Sequence, residues 1–180
     1  MLTIVVPETE SFDPITETFF STKKQVLTLE HSLMSISKWE SKWHKPFLSN
    51  EQKTIEESRD YIRCMTITQN VNPDVYYALS TENYEDITAY MEEPMTATWI
   101  KNDPNQPPSR EIITAEVIYY WMVALQIPFE CQKWHFNKLM MLIRVCNEKN
   151  KPAKKMGKRN IMSQNQALNA LRRQNLGTMG

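Results

Sequence analysis

The longest concentration of apolar residues covers positions 112–146 and is divided by Pro128. Beyond the proline, apolar residues recur at the i, i+3, i+4, i+7 spacing that lines one face of an α-helix: Phe136, Leu139, Met140 and Ile143. Polar residues lie mostly on the opposite face. This half therefore predicts an amphipathic helix whose apolar face belongs to the core.

The first half of the same stretch, residues 114–126, is apolar almost all round. A helix with so narrow a polar face is normally buried. Pro128 disfavours helical geometry at the preceding residue, so the two halves should meet at a corner. The pattern favours a helical hairpin that forms the core. It leaves open a second interpretation, in which Tyr119, Tyr120 and Trp121 expose an apolar face to a partner.

Residues that favour β-strands cluster near the N-terminus at positions 2–6, 19–20 and 26–29, the last two flanking a polar turn at 21–24. Two or three antiparallel strands are expected there. Helix starts follow at Ser32, a predicted N-cap, and at 49–52, which matches a capping box. Asn72–Pro73 and Thr81 indicate two further starts. The predicted fold is α+β and mostly helical, with a small N-terminal antiparallel sheet packed on a helical bundle.

The net charge of zero conceals a strong asymmetry along the chain. From Lys149 onward there are eight Lys or Arg residues and no Asp or Glu, which leaves 13 basic and 21 acidic residues before it. We therefore predict a single α+β domain over residues 1–148 and a basic, flexible C-terminal arm over 149–180. A weaker helix is predicted within the arm at 161–174, where Leu168 and Leu171 are three residues apart.

No pattern typical of catalysis or metal binding is present. Cys131 and His135 lack the paired, closely spaced ligands of structural zinc sites, and residues 1–148 contain no glycine for a phosphate-binding loop. We expect no enzymatic activity, no cofactor and no metal. Three cysteines without a secretory signal favour reduced thiols. No apolar run reaches the roughly 20 residues that span a bilayer, so no membrane partner is expected.

Several sequence blocks carry a resemblance to a known family. They are QVLTLEHSLMSISKWESKWHKPFLS, DYIRCMTITQNVNPDVYYAL, MTATW, EVIYYWMVALQIPFECQKWHFNKLMMLIRVCN and the terminal QALNALRRQNLGTMG. Together they resemble a family of small tail-region proteins of siphophages of Gram-positive hosts, which is similar to phage tail assembly chaperones. The likeness spans nearly the whole chain.

The resemblance implies a non-enzymatic role in virion assembly. Such chaperones bind the long, helix-rich tape measure protein in the host cytoplasm, keep it soluble and help recruit tail tube subunits. Two other functions stay open. One is a structural protein of the tail or the head–tail junction, and the other is a nucleic-acid-associated phage protein that uses the basic arm. The arm has no aromatic residue to stack on bases, so nucleic acid is the less favoured partner.

The residues predicted to bind a partner come from the central stretch and the arm. Aromatic side chains suit protein interfaces, methionines adapt to varied partners, and basic residues contact acidic surfaces. The predicted set is Tyr119, Tyr120, Met122, Trp134, Met140, Met141, Lys154, Lys155, Arg172 and Arg173. The sequence does not decide between a monomer and a homo-oligomer.

Overall fold

The computed structural model describes residues 1–13, 18–100, 112–151 and 158–177. By the contacts between Cα atoms, the chain divides into two units, Met1–Lys149 and Asn150–Gly180. The first unit contains four β-strands, five α-helices and two short 3-10 helices within the described residues, and the second contains one α-helix. The predicted α+β, mostly helical class is confirmed.

The four strands form a long antiparallel ribbon. β1 (Leu2–Val6) pairs with β4 (Gln25–Leu29), and β2 (Thr9–Asp13) pairs with β3 (Thr18–Thr22). The register is the same in both pairs, so they are two parts of one ribbon. The pairing is interrupted at Pro7, which has no N–H to donate to a ladder. The expected small sheet is present, but β2 was not predicted, and positions 23–24 are a break in the ribbon and not a hairpin turn.

In its β1–β4 part, the ribbon has one buried face and one more exposed face. Ile4, Val6, Leu27 and Leu29 alternate with exposed residues and pack inward, as the period of two requires. On the other edge of β4, the chain that leaves the second helix adds backbone hydrogen bonds: Ile67 N–H donates to the carbonyl of Thr28 at 2.8 Å. The ribbon is therefore tied into the helical part of the unit.

Three helices follow the ribbon: α1 (Leu33–Trp43), α2 (Ile55–Met65) and α3 (Thr81–Glu92). Ser32 caps α1 as predicted. The capping box expected at 49–52 is wrong, because the box that forms pairs Thr54 with Glu57 and α2 begins after it. The helix that was expected to start at Asn72 is a short 3-10 helix, Pro73–Tyr77.

The central stretch forms α4 (Ala115–Ala124), a 3-10 helix (Phe129–Lys133) and α5 (Phe136–Asn150). The two helices are separate as expected, and Pro128 precedes the 3-10 helix between them as its N-cap. Both α4 and this 3-10 helix pack against α1. On α5, Phe136, Leu139 and Ile143 are buried, which confirms the predicted apolar face.

In the second unit, α6 covers Lys158–Leu176 and includes the helix predicted at 161–174. Among the described residues of this unit, every side chain from position 162 to 177 is exposed.

Candidate protein-interaction surfaces

A buried carboxylate connects three parts of the first unit. Glu40 of α1 accepts hydrogen bonds from the backbone N–H of Phe47 at 2.7 Å and from that of Ala115 at 2.8 Å. Ala115 is the first residue of α4, and the preceding Thr114 makes no capping bond with its own side chain. Glu40 therefore acts as the cap of a helix remote in sequence, at the end where a negative charge is favoured.

Two more carboxylates lie on α2, and they bind it to α1 and to the segment that follows α1. Asp60 accepts from Lys42 Nζ, Trp43 Nε1 and Arg63 Nε at 2.8 to 2.9 Å. Burial raises the pKa of Asp60, but the three hydrogen bonds together outweigh burial and the pKa lies below its usual value.

Glu57 has a similar arrangement. Its carboxylate accepts from Lys45 Nζ at 2.6 Å and from the N–H of Thr54 at 2.8 Å. These bonds, that of Lys45 first, hold the pKa of Glu57 below its ordinary range. We call Glu40, Glu57 and Asp60 the α1 polar network. Its carboxylates are occupied by protein donors, so the network is structural.

A buried group of histidine and tyrosine side chains lies where α1, α2 and α5 meet. His31 Nδ1 is 2.5 Å from the hydroxyl oxygen of Tyr61, and the rings of His31 and His135 are 5.3 Å apart. Burial, and then the neighbouring His135, lower the pKa of His31 from 6.5 to about 3. Burial raises the pKa of Tyr61. Neutral His31 and protonated Tyr61 therefore share one hydrogen bond in the core.

Hydrogen bonds to the protein also fix the orientation of the His135 ring. Its Nε2 donates to the carbonyl of Tyr90 at 3.0 Å, and its Nδ1 accepts from the N–H of Asn137 at 3.3 Å. Both ring nitrogens have protein partners, which leaves none for a substrate. Across the part of the chain that the structure describes, no group of three or more His, Cys, Asp or Glu side chains is placed to hold a metal ion. Cys131 is a free, buried thiol, and burial raises its pKa.

The outer side of α4 differs from these polar clusters. Tyr120 and Val123 lie three residues apart on one helix face, and their exposed fractions are 69% and 60%. Phe129, in the adjacent 3-10 helix, is 53% exposed, and its ring centroid is 6.3 Å from that of half-buried Tyr119. We call Tyr120, Val123 and Phe129 the α4 surface. It comprises three large apolar side chains that are exposed to solvent, two on α4 and one on the 3-10 helix that follows it.

The predicted partner-binding residues differ in how far they are exposed to solvent. Tyr120 is exposed and Tyr119 is half-buried, with its hydroxyl donating to Gln132 at 2.8 Å. Met122 is fully buried in the core, so its assignment as a partner-binding residue is corrected. A helix that is apolar all round does not show in its sequence which face points inward. Val123 and Phe129 were missed, although Val123 follows Tyr120 at helical spacing.

The remaining predicted residues are spread over the chain. Trp134 is partly exposed, with Lys138 Nζ 4.6 Å from its ring centroid. Met140 and Met141 on α5 are half-buried. Arg172 and Arg173 are exposed on α6. Lys154 and Lys155 lie outside the described residues.

Comparisons with protein-family models, curated proteins and solved structures give no match. Within the described part of the chain, every helix is too short or too polar to cross a membrane.

Proposed function

We propose that this protein is a bacteriophage tail assembly chaperone. It binds the tape measure protein in the host cytoplasm, keeps it soluble and helps recruit tail tube subunits. The resemblance of its sequence blocks to small tail-region proteins of siphophages motivates the proposal. The observation that supports it is the α4 surface, with its three large, exposed apolar side chains.

Burial of the α4 surface against a partner provides a driving force that the isolated chain does not use. Each large side chain that leaves water contributes about 1.5–3 kcal/mol, and aromatic residues supply much of the energy at protein interfaces. The apolar stripe of an amphipathic helix is a suitable counterpart, because it offers side chains at regular spacing to an apolar surface. A long, helix-rich tape measure protein provides many such stripes.

Co-expression with the tape measure protein encoded in the same genome tests the proposal. We expect the tape measure protein to be insoluble alone and to elute with this chain in a soluble complex on affinity purification and size-exclusion chromatography. A tape measure protein that stays insoluble in the presence of this chain contradicts the proposal.

The double variant Tyr120→Ser/Val123→Ser tests the surface itself. Loss of two apolar anchors should weaken binding by about tenfold to a thousandfold, as measured by calorimetry with soluble peptides of the tape measure protein. The matched control is Val5→Thr/Val26→Thr, which changes two exposed valines on the outer face of the ribbon. The control should bind like the unchanged protein.

Purified phage particles separate this function from a structural one. A chaperone should be absent from finished tails by mass spectrometry. A stoichiometric amount of this chain in the particles would instead identify a structural component of the tail or head–tail junction, with the α4 surface as its assembly contact.

A further inference from the structure

The helix of the second unit has an apolar stripe whose side chains are exposed. Leu168 and Leu171 lie three residues apart and are 47% and 56% exposed. Arg172 follows Leu168 by four residues and therefore borders the same face. We call Leu168 and Leu171 the α6 stripe. In a monomeric domain, such leucines are normally turned towards a core.

The charges of α6 have one sign. Lys158, Arg159, Arg172 and Arg173 lie within the helix, which contains no Asp or Glu. The helix therefore gains nothing from internal salt bridges. Lys158 and Arg159 also lie at its N-terminal end, where the helix dipole disfavours positive charge. Carboxylates supplied by a partner would remove both disadvantages.

We propose that α6 docks against the apolar face of an acidic helix in a partner protein. The α6 stripe packs on that face, and Arg172 and Arg173 pair with carboxylates at its edges. The identity of the acidic partner rests on the proposed function, which points to the tape measure protein.

Charge and composition disfavour other occupants of the stripe. Pairing with α6 of a second copy would bring like charges together along both helices. A membrane surface is a poorer match, because α6 has no Trp, Tyr or Phe to insert at the lipid interface. The same lack of aromatic side chains removes the stacking on which single-stranded nucleic acids depend.

The test uses the full chain and a set of overlapping peptides from the tape measure protein. Each peptide has about 30 residues, enough for a helix longer than α6. Binding is measured by fluorescence anisotropy. We expect the tightest peptides to carry net negative charge together with apolar residues at i, i+3, i+4 spacing.

Variants of α6 identify the contact. Leu168→Ser/Leu171→Ser should weaken binding of those peptides by at least about tenfold. Arg172→Gln/Arg173→Gln should weaken it and also reduce its dependence on salt between about 50 mM and 500 mM NaCl. The matched control Ser163→Ala/Gln166→Ala changes two exposed polar positions of the same helix and should leave binding unchanged.

Three results would overturn the inference. They are equal binding by the control and the leucine variant, a preference for neutral or basic peptides, and tighter binding to anionic phosphatidylglycerol vesicles or to an oligothymidine. If the whole tape measure protein still binds, and only changes in the α4 surface weaken it, the inference fails while the proposed function stands. If the tape measure protein does not bind at all, the proposed function itself fails.

Discussion

The α1 polar network buries charged side chains, whereas the α4 surface leaves apolar side chains exposed to solvent. In the network, carboxylates of Glu40, Glu57 and Asp60 are buried, and each accepts at least two hydrogen bonds from protein donors. On the α4 surface, Tyr120 and Val123 are more than half exposed. One region removes charge from water, and the other leaves hydrocarbon in water.

The contrast separates residues that hold the fold from residues available to a partner. A buried carboxylate with bonded donors is costly to remove, since each orphaned donor loses its partner without regaining water. An exposed apolar side chain contributes little to folding, because its surroundings change little between the folded and unfolded chain. Stability and binding should therefore respond to different mutations.

The largest effect is expected at Glu40. Glu40→Ala leaves the N–H groups of Phe47 and Ala115 without their acceptor, at about 1–3 kcal/mol each. The loss should lower the free energy of unfolding by about 2–6 kcal/mol, measured by urea denaturation. Glu40→Gln, which keeps one acceptor oxygen of similar shape, should lose less. Equal losses in the two variants would show that packing and not hydrogen bonding makes Glu40 important.

A smaller effect is expected from acid, through His31. Its pKa is lower in the folded chain, at about 3, than the ordinary 6.5, so the unfolded chain binds the proton more readily. Stability is therefore full above pH 6.5 and falls as the pH drops towards 3. Between pH 7.5 and pH 5 the free energy of unfolding should decrease by about 2 kcal/mol. Urea denaturation at several pH values measures this slope.

Above pH 5, the change in the free energy of unfolding with pH reports on His31 and not on the carboxylates of Asp60 and Glu57. Asp60 and Glu57 have lowered pKa values, so their contributions disappear only at more acidic pH. His31→Gln should flatten the slope between pH 7.5 and 5. Exposed His44 provides the control, and His44→Gln should retain the slope. An unchanged slope in His31→Gln would assign the acid sensitivity to another group.

Strongly periodic segments of the fold could be predicted from the sequence, and segments decided by tertiary contacts could not. The spacing of Phe136, Leu139 and Ile143 identified the buried face of α5. The start of α2 was misplaced because 49–52 and 54–57 both match a capping box. Bonds from Lys45 to the Glu57 carboxylate and from Trp39 to its carbonyl favour the second box, and these partners are remote in sequence.

Local strand propensity likewise does not predict β2. Thr9–Asp13 contains Glu10 and Asp13, which are poor strand formers, so its sequence alone does not indicate a strand. Its pairing with β3 continues the register that β1 and β4 set. The strand is therefore a consequence of ribbon geometry more than of local preference.

The sequence predicted only part of the candidate surface, because tertiary contacts also decide which face of α4 is exposed. Tyr120 was identified by its residue type, but Met122, two positions away, is buried. Two residues separated by 200° on a helix face nearly opposite directions, yet both are apolar in α4. Only the packing of α4 on α1 decides which face is covered. Once Tyr120 is known to be exposed, the spacing of three residues places Val123 on the same exposed face.

The smallest effect on stability is expected at Val123. Val123→Ala removes an exposed side chain and introduces a residue with higher helix propensity, so the free energy of unfolding should stay within about 0.5 kcal/mol or rise slightly. Ile118→Val, a milder change on the buried face of the same helix, should cost about 0.5–1.5 kcal/mol. Urea denaturation compares the two. A larger loss at Val123 than at Ile118 would mean that the outer face of α4 contributes to the fold, and that stability and binding cannot be separated there.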